Sequence, residues 1–269
     1  MMLRVSIEQP STTSVNMNKL RIFLLSVVIS VIIRVNPCIA PPFSFVVFGD
    51  IRDGDKVFME LIQQVNQEQG IDFCVNTGDM VPTATEKNFK NYQFMISKIK
   101  PKIYHVPGNH DVLKDNYKLY RKYLGNPYYA FDHKESHFIV LDNALPDSFG
   151  HQQFEWLKKE LNNNRGKNIF VFMHRPLFDP TEAYKNYIMS GRQTVKELME
   201  LFERYRVNYV IAGHIHGYAR AKRGGTVYML CGGAGAPLYL PKDLGGAFHY
   251  VKISVDDNWI SDEFHKINE

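Results

Sequence analysis

Cysteine is scarce in this chain of 269 residues: there are three, Cys38, Cys74 and Cys231. That is too few for a disulfide framework, and a chain long enough to bury a sizeable core needs none. Cys74 and Cys231 lie inside apolar strand-like runs and read as buried thiols rather than a bridge or a metal pair. A strong charge of either sign is also missing. The formal net charge is +4, and basic residues are scattered, as in Lys98, Lys100, Lys102 and Lys114, Lys118, Arg121, Lys122. These read as solvated faces and leave no nucleic-acid footprint. With no internal repeat and no low-complexity linker, one folded domain is the simplest account.

The apolar run from Ile22 to Ile33 is too short to cross a bilayer, which takes about 20 residues, and Arg34 cuts it off. It lies within "MNKLRIFLLSVVISVIIRVNPCIA", which begins at Met17. Lys19 and Arg21 supply a basic start, and Cys38-Ile39-Ala40 places small residues where a signal peptide is cleaved. The segment therefore predicts a leader and signal peptide over residues 1–40, with Met17 as an alternative start, and a folded domain over 41–269. The expected destination is periplasmic or secreted. A retained membrane anchor is the alternative, and membrane contact is expected only in that case.

After Pro42, strand-like and helix-like segments alternate. Phe43–Phe48 is a continuous apolar run, the pattern of a buried strand. Phe58, Leu61, Ile62 and Val65 repeat at helical spacing up to Gly70. The same reasoning predicts strands at 73–75, 103–106, 128–131, 138–141, 169–173 and 209–212. It predicts helices around 89–99, 154–161 and 195–205. Such alternation implies parallel pairing in an α/β layer. From Val227 onward only strands are expected, suggesting a second, partly antiparallel sheet.

Unusual polar clusters fall just past the strand ends. Asp50 follows the first strand, Asp79 the second in "NTGDM", and Asn109-His110-Asp111 the third in "VPGNHD". His174 follows "IFVFM", and His214 and His216 follow "YVIA" in "GHIHG". In open α/β sheets ligands bind at that edge. Two carboxylates, an amide oxygen and three imidazoles suit Fe, Mn or Zn. A sixth strand end, Asp142-Asn143, is left out of the set.

The ordered set "GD-x-R … GD … GNHD … MH … GHIH" resembles the calcineurin-like metallophosphoesterase superfamily, over roughly Phe43 to Pro237. "GHIHGYAR" is similar to the purple acid phosphatase version of the last motif. That subgroup, however, places a tyrosine where this chain has Pro82. The resemblance implies a four-layer α/β/β/α sandwich with two central mixed sheets. It implies two metal ions, with Asp79 bridging them. Asp50 and His216 would hold one ion; Asn109, His174 and His214 would hold the other. His110 would be the general acid; from its place next in sequence alone, Asp111 is expected to favour the protonated form. The implied reaction is hydrolysis of a phosphate monoester or diester by a metal-activated hydroxide.

The resemblance breaks at Arg52, where the family has a histidine ligand. Arginine stays protonated and cannot ligate. Two unit charges about 4 Å apart repel by about 4 kcal/mol at an effective dielectric of 20, and a dication doubles that. Three arrangements remain. Arg52 swings outward to grip the substrate phosphate, or Asp53, Asp55 or water completes the first metal's shell, or that metal binds weakly. A protein that has lost catalysis and keeps a phosphate ligand or a partner is the rival reading. A zinc amide hydrolase is less fitting, because the helix-borne His-Glu pair is missing.

Other features have plainer readings. "CGGAGAPLY" lacks the lysine of a phosphate loop, so its glycines are expected to let backbone pass close to the metal site. Tyr184 and Tyr187 could stack on a substrate, though packing is the more ordinary role. Tyr218 and Arg220 are expected near the cleft.

Overall fold

The computed structural model describes residues 41–112, 117–256 and 259–267. The expected leader lies outside them. Among the described residues, no helix is long and apolar enough to cross a membrane.

Eleven strands are described. β1 (Phe43–Phe48), β2 (Ile71–Asn76) and β3 (Lys102–His105) run parallel. β10 (His249–Asp256) pairs antiparallel with β1, and β11 (Trp259–Lys266) antiparallel with β10. The first sheet thus has the order β11-β10-β1-β2-β3. The second contains β4 (Tyr129–His133), β5 (Ser136–Val140), β6 (Asn168–Phe172), β7 (Tyr209–Ala212), β8 (Tyr218–Arg223) and β9 (Thr226–Cys231). Its order is β4-β5-β6-β7-β9-β8, with a parallel centre and one antiparallel strand at each edge.

Both sheets are mixed, as expected. The strand-rich tail, however, does not build a sheet of its own. β9 completes the second sheet, while β10 and β11 extend the first.

Alternation along β1 shows how the layers form. Phe45 and Val47 face the second sheet, joining Val75, Phe138, Phe170 and Ile211 in the inter-sheet core. The Phe45 ring meets Phe138 and Phe170 edge-on, at 5.4 and 5.2 Å between centroids. Val46 and Phe48 point the other way. They pack on α1 (Asp55–Gln67), α2 (Glu86–Ile96) and α3 (Tyr117–Leu124) through Phe58, Leu61, Phe89 and Tyr120. On the far side, Ile139, Val171 and Val210 pack on α4 (His151–Asn163) and α5 (Arg192–Arg204) through Leu157, Leu161, Leu198 and Phe202. The result is the expected helix, sheet, sheet, helix stacking. Cys74 and Cys231 are buried free thiols, and burial pushes both well above their ordinary pKa.

Candidate metal centre

The loops after β1, β2, β3, β6 and β7 converge. β1 and β2 run side by side, and their following turns are stitched by backbone bonds. Asp50 N–H donates to Gly78 O at 2.9 Å, and Ile51 and Arg52 N–H donate to Asp79 O at 2.9 and 3.1 Å. Asp50, Asp79 and His214 each follow a glycine at a strand end and adopt left-handed backbone, with φ of 61°, 54° and 67°. Only sparsely populated conformations lie there for residues other than glycine. Close approach needs a glycine at Gly213, where a Cβ would sit 2.3 Å from Asp50 Oδ2.

Two groups of potential ligand atoms result. Asp79, His174 and His214 form one; Asp50, Asp79 and His216 form the other, and within each the atoms lie within 4.8 Å of one another. Asp79 belongs to both. Asn109 joins the first group, its Oδ1 lying 3.1 Å from His174 Nε2. All six residues expected to ligate are therefore in one place, and the five carboxylate and imidazole members are buried.

Two imidazoles are set in the tautomer a metal requires. His174 Nδ1–H donates to Thr77 O at 2.9 Å, leaving Nε2 without a proton, 3.4 Å from Asp79 Oδ1. His216 Nδ1–H donates to Pro237 O at 2.6 Å, and its Nε2 faces Asp50 Oδ1 at 3.4 Å. Carbonyls behind ligating histidines fix ring and tautomer in this way. The donor set fits a pair of metal ions. For His216, burial pulls the pKa down, but the Asp50 hydrogen bond and charge and the Pro237 carbonyl hold it above the ordinary histidine value.

His214 differs. Its Nδ1 faces the group, 3.1 Å from His174 Nε2, while its Nε2 lies 2.8 Å from Arg175 Nη1. A guanidinium can only donate, so Nε2 accepts and Nδ1 carries the proton. Ligation through Nδ1 requires Arg175 to turn away. Burial, His174 and Arg175 together hold this imidazole far below its ordinary pKa.

The residues named for other roles fall as follows. His110 Nδ1 is bound to Pro82 O at 2.7 Å, leaving Nε2 free, 3.9 Å from Asp79 Oδ2. Asp111 does not orient this ring, which Pro82 holds instead. It is fully buried, and its carboxylate accepts N–H from Asp79, Met80, Val81 and Gly108 at 2.8–3.1 Å. Its part is to clamp two ligand loops together, a correction to the expected catalytic role. Burial and the Asp79 charge push its carboxyl up, against the pull of those backbone N–H groups.

Arg52 also has left-handed backbone (φ 51°), and its Nε is buried without a partner among the described residues. Asp53 and Asp55 do not complete the second group. Asp53 is exposed, and Asp55 accepts from Asn91 Nδ2 at 2.9 Å. Tyr218 and Arg220 lie elsewhere. Arg220 pairs with Asp262 at 3.0 Å, and Tyr218 packs on His249 and Phe264.

Sequence reading missed three contributors. Tyr239 stacks on His216 at 3.8 Å and, with Tyr187 at 5.7 Å from His214, forms an aromatic wall. Tyr184 sits behind it, its hydroxyl donating to Tyr239 O at 2.7 Å. Asn143 Oδ1 accepts the N–H of His174 and Arg175 at 2.9 and 3.0 Å, fixing that turn without joining either group. The strand-end signal was present at Asn143. The third is Arg175 itself. The "CGGAGAPLY" backbone does pass against the site, since a Cβ at Gly232 would lie 2.8 Å from Asp50 Oδ2.

Residues 43–218 match the calcineurin-like phosphoesterase family. The chain belongs to that family. A 3',5'-cyclic-nucleotide phosphodiesterase of Nostoc sp. is 24% identical to this metallophosphoesterase over 216 residues, covering 75% of this chain and 78% of the relative. Purple acid phosphatase 23 of Arabidopsis thaliana is 29% identical over 136 residues, 49% of this chain and 28% of the plant protein. The metallophosphoesterase thus spans most of the first relative but only about a quarter of the second. In fold it is similar to a purple acid phosphatase from yellow lupin (Lupinus luteus), with a TM-score of 0.71 at 17% identity, covering 84% of this chain and 52% of that one.

Proposed function

We propose that this metallophosphoesterase hydrolyses phosphate esters at a two-metal centre, with His110 as general acid and Arg52 directed at the phosphate. The observation that carries the reading is the place of Asp79 in both ligand groups. Divalent or trivalent ions held there, with Mn, Fe or Zn matching the donors, would lend Lewis-acid charge to a phosphoryl group and a water.

The chain's own residues supply the rest. Pro82 O accepts a hydrogen bond from Nδ1–H of His110, so only Nε2 faces the site. The His110 side chain is 29% exposed, within reach of an ester entering from solvent. Protonated at Nε2, it would give that proton to the departing alkoxide. The Arg52 guanidinium, whose Nε has no partner among the described residues, would offer its terminal nitrogens to phosphoryl oxygens. The Tyr187–Tyr239 wall would shield one flank from water. The basic and apolar segment after Met17 supports export of the chain.

The test is metal-stripped protein reconstituted with Mn, Fe, Zn or Mg and assayed on alkyl and aryl monoesters and diesters. His110→Asn should cost about 10²-fold or more on alkyl esters, whose leaving groups need a proton. It should cost little on p-nitrophenyl esters, and metal content should be kept. Equal losses on both would remove His110 as the acid. Arg52 also favours a second reading, a binder of phosphate without turnover. Stoichiometric phosphate binding with no hydrolysis by any reconstituted form would select it.

A further inference from the structure

Five large apolar side chains remain exposed among the described residues, and four are aromatic: Phe94, Tyr187, Trp259 and Phe264. Tyr187 is the one whose ring meets a candidate ligand, its centroid lying 5.7 Å from that of His214. The reaction outlined above uses it only as a shield. Three observations give it a more specific part.

The first is that Tyr187 is open where its neighbour is covered. Tyr239 lies flat on His216, with 3.8 Å between centroids and 16° between planes, and Tyr184 stacks on it at 5.8 Å. Tyr187 meets Tyr184 and Tyr239 edge to face, each at 5.5 Å with planes at 86° and 64°. Among the described residues no ring lies parallel to it, and 40% of its surface stays in solvent.

The second is that the loop carrying it is pinned. The buried Asp179 carboxylate accepts from Thr181 N–H, Thr181 Oγ1 and Tyr184 N–H at 2.7–2.8 Å. Tyr187 N–H donates to Tyr184 O at 2.9 Å, and Met189 N–H to Pro176 O at 2.8 Å. The Tyr184 hydroxyl ties the loop to Tyr239 O at 2.7 Å. A ring held in place before the ligand arrives loses little freedom on binding it. The third is position. Asp79 shares a ligand group with His214, and its Oδ2 lies 3.9 Å from His110 Nε2. An ester whose phosphate reaches that group therefore has Tyr187 beside its organic part.

We propose that Tyr187 is a specificity-determining residue that stacks on an aromatic ring carried by the ester, so that aromatic phosphate esters are preferred to saturated ones of the same size. The proposal rests on the phosphoesterase reading and gives it a substrate class.

The experiment compares kcat/KM of the protein reconstituted with Mn or Zn for benzyl phosphate and cyclohexylmethyl phosphate, followed by phosphate release. Both leaving groups are primary alcohols bearing a six-membered ring, so both need the proton of the acid. Apolar contact alone favours the saturated ring or neither, whereas stacking favours the planar one. Benzyl phosphate should lead by about fivefold. Tyr187→Leu keeps apolar bulk and should bring the ratio to within about twofold of unity, with metal content kept. Tyr187→Phe keeps the ring and should preserve the preference. A wild-type ratio near or below one overturns the proposal, as does a preference that survives Tyr187→Leu or is lost in Tyr187→Phe. If neither ester is hydrolysed, the phosphoesterase reading fails instead. Calorimetric binding of benzylphosphonate and cyclohexylmethylphosphonate then decides. The same fivefold preference and its loss in Tyr187→Leu are still required, and no binding of either overturns the proposal.

Discussion

His249 opens β10 with its ring fully buried. Its Nδ1–H donates to Ala247 O at 2.8 Å, and its Nε2 has no partner among the described residues. The rings of Phe264 and Tyr218 pack on it at 5.0 and 5.6 Å. Protonation would add a second N–H with nothing to receive it. Burial accordingly lowers the pKa from 6.5 to about 4, although the Ala247 bond and the Asp50 charge pull the other way. The unfolded chain takes up this proton near 6.5 and the folded protein only near 4. Between those values the unfolded state holds more protons, so stability falls with falling pH. The contribution is fully present above 6.5. At about 1.4 kcal/mol per pKa unit, roughly 2 to 3 kcal/mol is lost by about pH 4.5. His249→Asn keeps a donor at the Nδ1 position for Ala247 and removes the titration. Urea unfolding of both proteins at pH 7 and 4.5 should show wild type losing about 2 to 3 kcal/mol more than the variant. His105, also lowered to about 4 by burial, is common to both proteins and cancels. Parallel stability curves would refute the reasoning.

Arg175→Gln removes a cation bonded to the candidate ligand His214, so Mn or Zn should bind about tenfold tighter by titration calorimetry; weaker binding would instead make Arg175 a support for His214. Asp111→Ala strips four backbone N–H groups of their acceptor and should destabilise the fold by about 3 kcal/mol or more in denaturant unfolding. Cys74 and Cys231, both buried with raised pKa, should resist a thiol reagent at neutral pH until the protein is unfolded.

The central strands were legible because burial on both faces demands continuous apolar runs such as Phe43–Phe48. β8 was missed because "YARAKR" is a charged edge strand, with Ala219 its one buried residue. α3 reads as a solvated basic face because Tyr120 is the residue it buries. The tail was assigned to the wrong sheet for another reason. Pairing β10 with β1 joins residues about 200 positions apart, as in Phe43 opposite Val255, and local periodicity carries no partner information. The clustering of the candidate ligand positions could be read because strand ends and glycines mark them. Arg175 and Tyr239 act through contacts made across the folded chain, which no spacing announces. Asp111 shows the opposite error: a neighbour in sequence to His110 turns its carboxylate toward backbone amides instead.

The left-handed geometry at Asp50, Asp79 and His214 bears on how the protein tolerates change. A polypeptide choosing for foldability alone would put glycine or asparagine at these corners and gain on the order of 1 kcal/mol at each. A selection for thermal resistance without regard to activity should therefore drift toward those residues first at the very corners that would grip metal. Robustness and reactivity compete at these three positions, and the carboxylates and imidazole found there record which demand has prevailed.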